Sequence, residues 1–338
     1  MRINDTGLRG TLKHLLFGSA SFSQFRAVGL RDPQSEVGVW LHGAGAPQDV
    51  TYNHVAAAAR PFTIGVGLQN NLDGAGVRRG LSLTFQERSG EQRLLGEINL
   101  RLLEAIPLGD AQLYLFEPRS YRNYSIPRAW LWMRYLYYAY EMQRRRAQAP
   151  QAPTVARDLH RVFVFYLCPR PIVLASATDG NVSNIFPLDL IGPLGAGRFS
   201  LAIQNTSTAG PLLERSRRVA LSSVPAEQTA LAYKLGKNHR EPHVEWDHLP
   251  FATTASPAFG LPVPSFSLRV REMQIESVRP LGSYKLFLGR IVEDVTWADG
   301  LQFFLVHGFV EPESSALTNE SEAQASAEPV CHQPRRAS

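Results

Sequence analysis

Residues 172–205 read IVLASATDGNVSNIFPLDLIGPLGAGRFSLAIQN: an apolar run, an Asp-Gly turn, a second apolar run, a glycine-rich turn, and a third run closing on Gln204-Asn205. Runs this short, punctuated by Gly, Asn, Asp and Pro, predict strands joined by hairpins rather than helices. The same texture continues outward. Arg161–Cys168, Pro171–Ala177, Arg198–Gln204 and Val219–Val224 each read as a strand, with turn residues between them. Turn signals at intervals of roughly eight to twelve residues predict a mostly antiparallel sandwich or barrel. Two helices are expected. One opens at Ile126-Pro127 and carries Trp130, Met133, Tyr137 and Tyr140, aromatic on several faces as a spacer between domains would be; the other runs through Pro211–Arg215 with Thr208 as its cap.

The stretch also has an earlier counterpart. Val39-Trp40-Leu41-His42-Gly43, Asp49–Asn53 and Phe62–Asn70 stand in the same order as Ile172–Ser176, Asn181–Asn184 and Phe199–Asn205. Further on, Pro107-Leu108-Gly109 and the run to Leu115 parallel Pro280-Leu281-Gly282 and the run to Leu288. Three matches in one order predict a duplicated unit. The interval from Val50 to Pro107 is shorter than that from Val182 to Pro280, so the first copy should lack an excursion equivalent to about residues 223–262.

Composition bounds the rest. The 338 residues are 44% hydrophobic and 19% charged, which fits one or two packed cores and excludes a fibrous or wholly disordered chain. Two cysteines, Cys168 and Cys331, supply neither a disulfide framework nor a Cys-x-x-Cys pair, and a cytoplasmic location is expected. Residues 1–22 hold no unbroken apolar stretch of leader length, and the most apolar window, Ala129–Tyr140, carries Arg134 and is short of the roughly twenty residues of a membrane span, so no membrane partner is expected. A net charge of +5, scattered apart from Arg144-Arg145-Arg146, fits a phosphate-bearing small molecule better than nucleic acid.

No Gly-x-Ser-x-Gly elbow, His-Glu-x-x-His helix or Gly-x-x-x-x-Gly-Lys loop occurs. The densest group of potential metal ligands is His239, Glu241, His243, Glu245 and Asp247, which would share one face if extended. With Pro242 inside it, the segment reads as a solvated loop, and no metal site is expected. Cys168 reads as a small buried hydrophobe. Asn205-Thr206-Ser207-Thr208 is different in kind: four hydrogen-bonding side chains stand just before a short helix, with Arg215, Arg217 and Arg218 behind. Hydroxyls, helix-start N–H groups and guanidinium groups together make a phosphate site, and a plain helix cap with surface arginines is the alternative.

From about Arg157 to Val310 the order of segments resembles the flavin reductase-like, FMN-binding split-barrel family. The resemblance is carried by Cys168–Ser176, Thr178–Asp189, Gln204–Thr208, Arg218–Ser222, Gly260–Pro264 and Gly282–Val292. It implies a mainly β fold with a few helices, built as two tandem split β-barrels of which the N-terminal one is divergent. The corresponding domains are an extension over 1–35, a divergent barrel over 36–126, an aromatic helix and linker over 127–156 (with AQAPQAP at 147–153), a flavin reductase-like barrel over 157–311 and a disordered tail over 312–338. The family's flavin grip, carried over, falls on Ser176, Thr178, Asn184, Ile185, Phe186 and Pro187 for the ring and ribityl chain and on Asn205, Thr206, Ser207 and Thr208 for the phosphate. The implied cofactor is FMN, with NADH or NADPH as electron donor and an oxygenase or other acceptor as partner. Relatives often carry a histidine where this chain has Tyr284 after Ser283, a departure at the nicotinamide side. The implied activity is NAD(P)H-dependent FMN reduction. The alternatives are a flavin-binding protein working without nicotinamide, and a barrel that has lost flavin and serves a haem, metal or structural role. The two copies are expected to pack as an internal pseudo-dimer, with one flavin per chain, and a homodimer remains open.

Overall fold

A computed structural model describes residues 25–31, 36–69, 72, 80–129, 131–133, 136 and 156–307. The expected tail at 312–338, the linker at 147–153 and most of the aromatic helix lie outside these residues. Of that helix the first turn is described, with Leu131 N donating to Pro127 O at 3.0 Å and Trp132 exposed to solvent.

The N-terminal half runs β1 (Phe25–Leu30), β2 (Val37–His42), β3 (Gln48–Asp49), β4 (His54–Ala59), β5 (Phe62–Leu68), β6 (Leu81–Glu87), β7 (Leu94–Leu108) and β8 (Ala111–Asn123). Helix α1 (Ala156–Phe165) then leads into β9 (Arg170–Pro171), β10 (Val173–Thr178), β11 (Ser183–Leu188), β12 (Ile191–Gly195) and β13 (Arg198–Gln204). After α2 (Ala209–Ser216) come β14 (Arg218–Ser223), α3 (Thr229–Leu235), β15 (Thr253–Ala255), β16 (Pro262–Pro264), β17 (Arg269–Leu281), β18 (Tyr284–Thr296) and β19 (Gln302–His307). The chain is mainly β with few helices, as expected. No helix among the described residues is long and apolar enough to cross a membrane.

Two seven-stranded antiparallel sheets dominate. The N-terminal sheet is ordered β3-β2-β6-β7-β8-β5-β4, and the C-terminal sheet β11-β10-β14-β17-β18-β13-β12. Counted from the first strand of each, both orders are 2-1-5-6-7-4-3. The turns Leu108–Ala111 and Leu281–Tyr284, aligned in the sequence, close equivalent hairpins, and Gly109 and Gly282 both have positive φ, at 66° and 61°. The excursion also falls where the spacing placed it: residues 88–93 join β6 to β7, whereas residues 224–268 join β14 to β17.

That excursion explains a difference between the outer faces. In the C-terminal sheet the outer row Ser176–Ala220–Glu272 lies beside Leu174–Ser222–Val270, and Leu261 and Val263 pack on Ala220 and Val270. In the N-terminal sheet the equivalent row is Trp40–Thr84–Glu97, next to His42–Ser82–Asn99, and it is at least partly solvent-exposed. A sheet face without a cover must be polar, because antiparallel sheets expose one side only when that side is hydrated.

Arg161–Cys168, read as a strand from its aromatic and β-branched residues, is instead the end of α1 and the turn after it. Tertiary packing overrides propensity here. The segment lies on the inner row Val39–Phe85–Gly96 of the N-terminal sheet, where a side chain larger than glycine at 96 would strike Leu167 and Val164 at 2.7 and 2.8 Å. Phe163, Val164, Phe165 and Leu167 are fully buried there, and Phe165 meets the rings of His54 and Phe62 at 5.4 and 5.5 Å. The inside of the N-terminal sheet is therefore filled by chain from the C-terminal half. The extension contains a further strand, since β1 pairs along its whole length with β19.

The halves meet reciprocally. The β17–β18 turn rests on the β4–β5 turn, where Ser283 N and Oγ both donate to Arg60 O at 3.0 Å; the β7–β8 turn at Gly109 rests on Arg198, which opens β13. Between the two long hairpins Arg279 pairs with Glu104 at 2.8 Å. Deeper in, Arg170 donates to His54 O at 3.1 Å and to His54 Nε2, with its guanidinium 4.0 Å from the Phe165 ring centroid. His54 Nδ1 must carry the ring proton, because it lies 2.8 Å from Val50 O, which only accepts. Burial first, and Arg170 second, hold the His54 pKa well below 6.5. The unfolded chain therefore takes up a proton below about pH 6.5 that the folded chain refuses, and folding stability falls with pH by up to about 1.4 kcal/mol per unit through this window. Denaturant titrations between pH 7.5 and 5.5 should show that loss, and His54→Gln should flatten it; equal slopes in both proteins would remove His54 as the cause.

Candidate functional site

The β10–β11 hairpin brings one half of the expected site together. Ala177 stands opposite Asn184, Ser176 opposite Ile185 and Leu174 opposite Pro187. Its turn is built by Asp179, whose Oδ1 accepts from Asn181 N and Val182 N at 3.1 and 2.8 Å while Gly180 takes φ 93°. The Val182 N–H, Arg215 and the Asn181 N–H hold the Asp179 carboxyl down to about 2, and the 2.8 Å bond from Arg215 Nε ties the hairpin to α2. Thr178 spends its hydroxyl on the same turn, donating to Val182 O at 2.9 Å.

The phosphate stretch lies beside this hairpin, linked to it through residues 236–244. Asn205 is fixed to the β17–β18 turn, its N and Nδ2 donating to Ser283 O and Gly282 O at 2.9 and 3.2 Å. Thr206 is exposed. Ser207 Oγ donates to His239 O at 3.1 Å, Thr208 N to the same oxygen at 3.0 Å, and Thr208 Oγ1 to Glu241 O at 2.6 Å. Thr208 does occupy the cap position of α2, but its side chain makes no capping bond; Ser207 Oγ instead accepts from Ala209 N at 3.3 Å.

Residues 236–244, which overlap the segment from His239 read as a solvated loop, thus border both halves. Asn184 Nδ2 donates to Asn238 O and Glu241 O at 3.0 Å each, which fixes the amide and leaves Asn184 Oδ1 buried with no donor. Ser176 Oγ is likewise fully buried without a partner. Phe186 packs under the His239 ring, centroids 4.9 Å apart, and Ile185 and Pro187 are buried. A buried acceptor and a buried hydroxyl, each unsatisfied, are costly unless something completes them. The Asn184 acceptor fits a ring system offering an N–H edge, as an isoalloxazine does, with the hydroxyls of Ser207 and Thr208 nearby for a phosphate, while Ser176 faces the opposite side of the hairpin. Among the described residues no group of His, Cys, Asp and Glu side chains is placed to hold a metal.

One polar group here was not singled out from the sequence. Asp189 is buried directly after β11, accepting from the Tyr166 hydroxyl at 2.9 Å, and burial raises its pKa despite that bond. Burial likewise pushes the nearby Tyr233 hydroxyl up to about 12. The available signal was a lone acid in the otherwise apolar run Ile185–Ile191. Cys168 is buried, as read.

Residues 165–306 match the family described as flavin reductase like domain. Among solved structures, the chain is similar to an FMN-binding protein from Thermus thermophilus with bound 1-cyclohex-2-enone, at 24% identity over 38% of this chain and 71% of that one, with a TM-score of 0.34. It is also similar to the NADH:FAD oxidoreductase SgcE6 of Streptomyces globisporus C-1027, at 17% identity over 49% and 99% of the two chains and a TM-score of 0.41. A third is BorF, the flavin reductase component of a bacterial two-component tryptophan halogenase, at 13% identity over 46% and 95% and a TM-score of 0.40. No curated protein matches the chain.

Proposed function

We propose that this protein, whose residues 165–306 match the flavin reductase like domain, binds FMN in its C-terminal sheet and passes electrons from NADH or NADPH through it. The observation that carries the reading is the buried, unsatisfied Asn184 Oδ1, on the hairpin that the resemblance assigns to the flavin. Bound flavin would supply the redox chemistry by accepting hydride from nicotinamide, which is why no acid–base triad is needed. The chain's own part is to hold and orient. Asn184 presents a buried acceptor, and Asn205–Thr208 gather hydroxyls and N–H groups at the start of α2.

The departure at Tyr284 favours a second reading, flavin binding without nicotinamide. Tyr284 is buried and its hydroxyl accepts from Gln204 Nε2 at 3.1 Å, so it is engaged inside the sheet. Anaerobic stopped-flow mixing decides between the two. Bleaching of flavin absorbance by NADH or NADPH is the expected result; no bleaching with either would sink the reductase reading and leave the flavin-holding one. A reductase of this kind would hand its reduced flavin to an oxygenase or another acceptor.

We also infer that the halves are a duplicated pair acting as an internal pseudo-dimer, supported by their shared strand order and by their reciprocal turn contacts. The N-terminal half should hold no flavin of its own, since α1 and residues 163–167 fill its inner face. The stretch Asn70–Asp73 that answers Asn205–Thr208 lies, apart from Leu72, outside the described residues. Fluorescence titration should saturate at about one FMN per chain; saturation at two would contradict this division of labour.

A further inference from the structure

The donors expected to hold a phosphate are already in use. Thr208 N, Ser207 Oγ and Thr208 Oγ1 approach one oxygen, His239 O, at 3.0, 3.1 and 3.2 Å, and Thr208 Oγ1 also reaches Glu241 O at 2.6 Å. A hydroxyl has one proton, and the shorter contact gives that of Thr208 to Glu241 O, so His239 O takes the Thr208 N–H and the Ser207 hydroxyl, and two strap carbonyls together use the three donors that a phosphate would need. The peptide group of His239 stands where an anion would.

The same segment is anchored to the edge strand β11. Asn238 Nδ2 donates to Ile185 O at 2.7 Å and His239 Nε2 to Pro187 O at 2.8 Å. At its far end Val244 N donates to Ser183 O at 2.8 Å, Ser183 Oγ to Val244 O at 2.6 Å, and Ser183 N to His243 Nδ1 at 3.1 Å. Between these anchors residues 240–243 are exposed, and the span is held in its middle at Glu241 O, which accepts from Asn184 Nδ2 and Thr208 Oγ1. These bonds also satisfy the free edge of β11, which would otherwise be left open.

We propose that residues 238–244 form a strap that fills the phosphate end of the flavin site with its own carbonyl groups, and that flavin enters only when the strap lifts. The proposal rests on the flavin-binding reading above. Strap and phosphate need the same three donors and cannot both have them. Lifting frees the Ser207 and Thr208 hydroxyls and the Thr208 N–H, and it releases the Asn184 amide from Asn238 O and Glu241 O. Binding thus selects an opened minor state, and the rate of opening limits association.

Stopped-flow quenching of FMN fluorescence tests this on the full chain. In the unaltered protein the observed rate should level off as FMN rises; a rate that stays linear in FMN overturns the strap while leaving flavin binding in place. The double variant Asn238→Ala, His239→Ala removes two anchors while leaving Ser207, Thr208 and the carbonyls at 239 and 241 in the chain, and should raise the plateau about tenfold or more. An unchanged plateau overturns the proposal. Amide exchange in the unaltered protein gives an answer independent of the variant. The Val244 amide, within the strap and bonded to Ser183 O, should exchange faster with FMN bound, whereas a slower or equal rate shows that the strap stays down. Absence of any quenching overturns both the strap and the flavin reading.

Discussion

Gly67→Val should cost about 3 kcal/mol of folding stability, enough to split the unfolding of the two halves into separate steps. Gly67 lies on β5 with its Cα facing the backbone of β12; a side-chain carbon there would sit inside the van der Waals radius of Leu194 O and only 2.9 Å from Leu194 Cα. Main-chain atoms of a sheet cannot step aside as a rotamer can. Relief has to come from parting the sheets, and parting them loosens the neighbouring contact of Gly192 with Val55 and the buried Arg170–His54 pair. Denaturant unfolding followed by tryptophan fluorescence and by calorimetry would read the change. Gly210→Ala serves as the control, since nothing lies within 4 Å of its added carbon and it sits in α2, where alanine is favoured. Equal stability of the Gly67 variant and the parent would mean that the halves do not pack as described.

Glu272→Ala should have a comparable effect, localised to the excursion. Glu272 is fully buried, and its carboxylate accepts from Ser256 Oγ at 2.5 Å, Ala258 N at 2.6 Å and Phe259 N at 2.7 Å. Ser256 Oγ in turn accepts from Leu261 N at 2.9 Å, so one side chain organises the whole turn between β15 and β16. Alanine leaves the buried Ser256 hydroxyl and two partly buried N–H groups without their acceptor, at about 1–3 kcal/mol for each that cannot reach water. Glutamine keeps one acceptor and turns an NH2 toward another N–H, so it should rescue only part. Limited proteolysis should cut the alanine variant between residues 250 and 268 before anything else. Protection there equal to the parent's would show that Leu261 and Val263, packing on Ala220 and Val270, hold the excursion without Glu272.

Why some of this was legible in the sequence and some not follows from where the partners lie. Hairpins such as β10–β11 and β17–β18 announce themselves because both strands and the turn are contiguous, and a glycine that must take positive φ marks the corner. The strand order shared by the two sheets was legible for the same reason, as hairpins in one order. The excursion was legible as a difference in spacing, although its covering role was not. β1 gave no such signal: its partner is the last described strand, and residues 25–30 read as extension because nothing nearby in the chain needs them. Val162-Phe163-Val164-Phe165 misled in the opposite direction. Its residue types suit a strand, and only the glycine at 96, in another sheet, lets it pack as a helix end. At the site, residue types located the hydroxyls of Ser207 and Thr208, but which oxygens they face depends on the return of the chain at 239–241.

The β1–β19 pair sets a timetable for synthesis. Residues 25–30 leave the ribosome well before residues 302–307, so β1 waits for all the other described strands before its hydrogen-bonding groups are matched. The seven strands that end at Asn123 are in the same position, because Phe163, Phe165 and Leu167, which fill their interior, emerge only after the following linker. During translation the nascent N-terminal half therefore carries both an open strand edge and an unfilled apolar hollow, the two features that invite chaperones and mispairing with neighbouring chains.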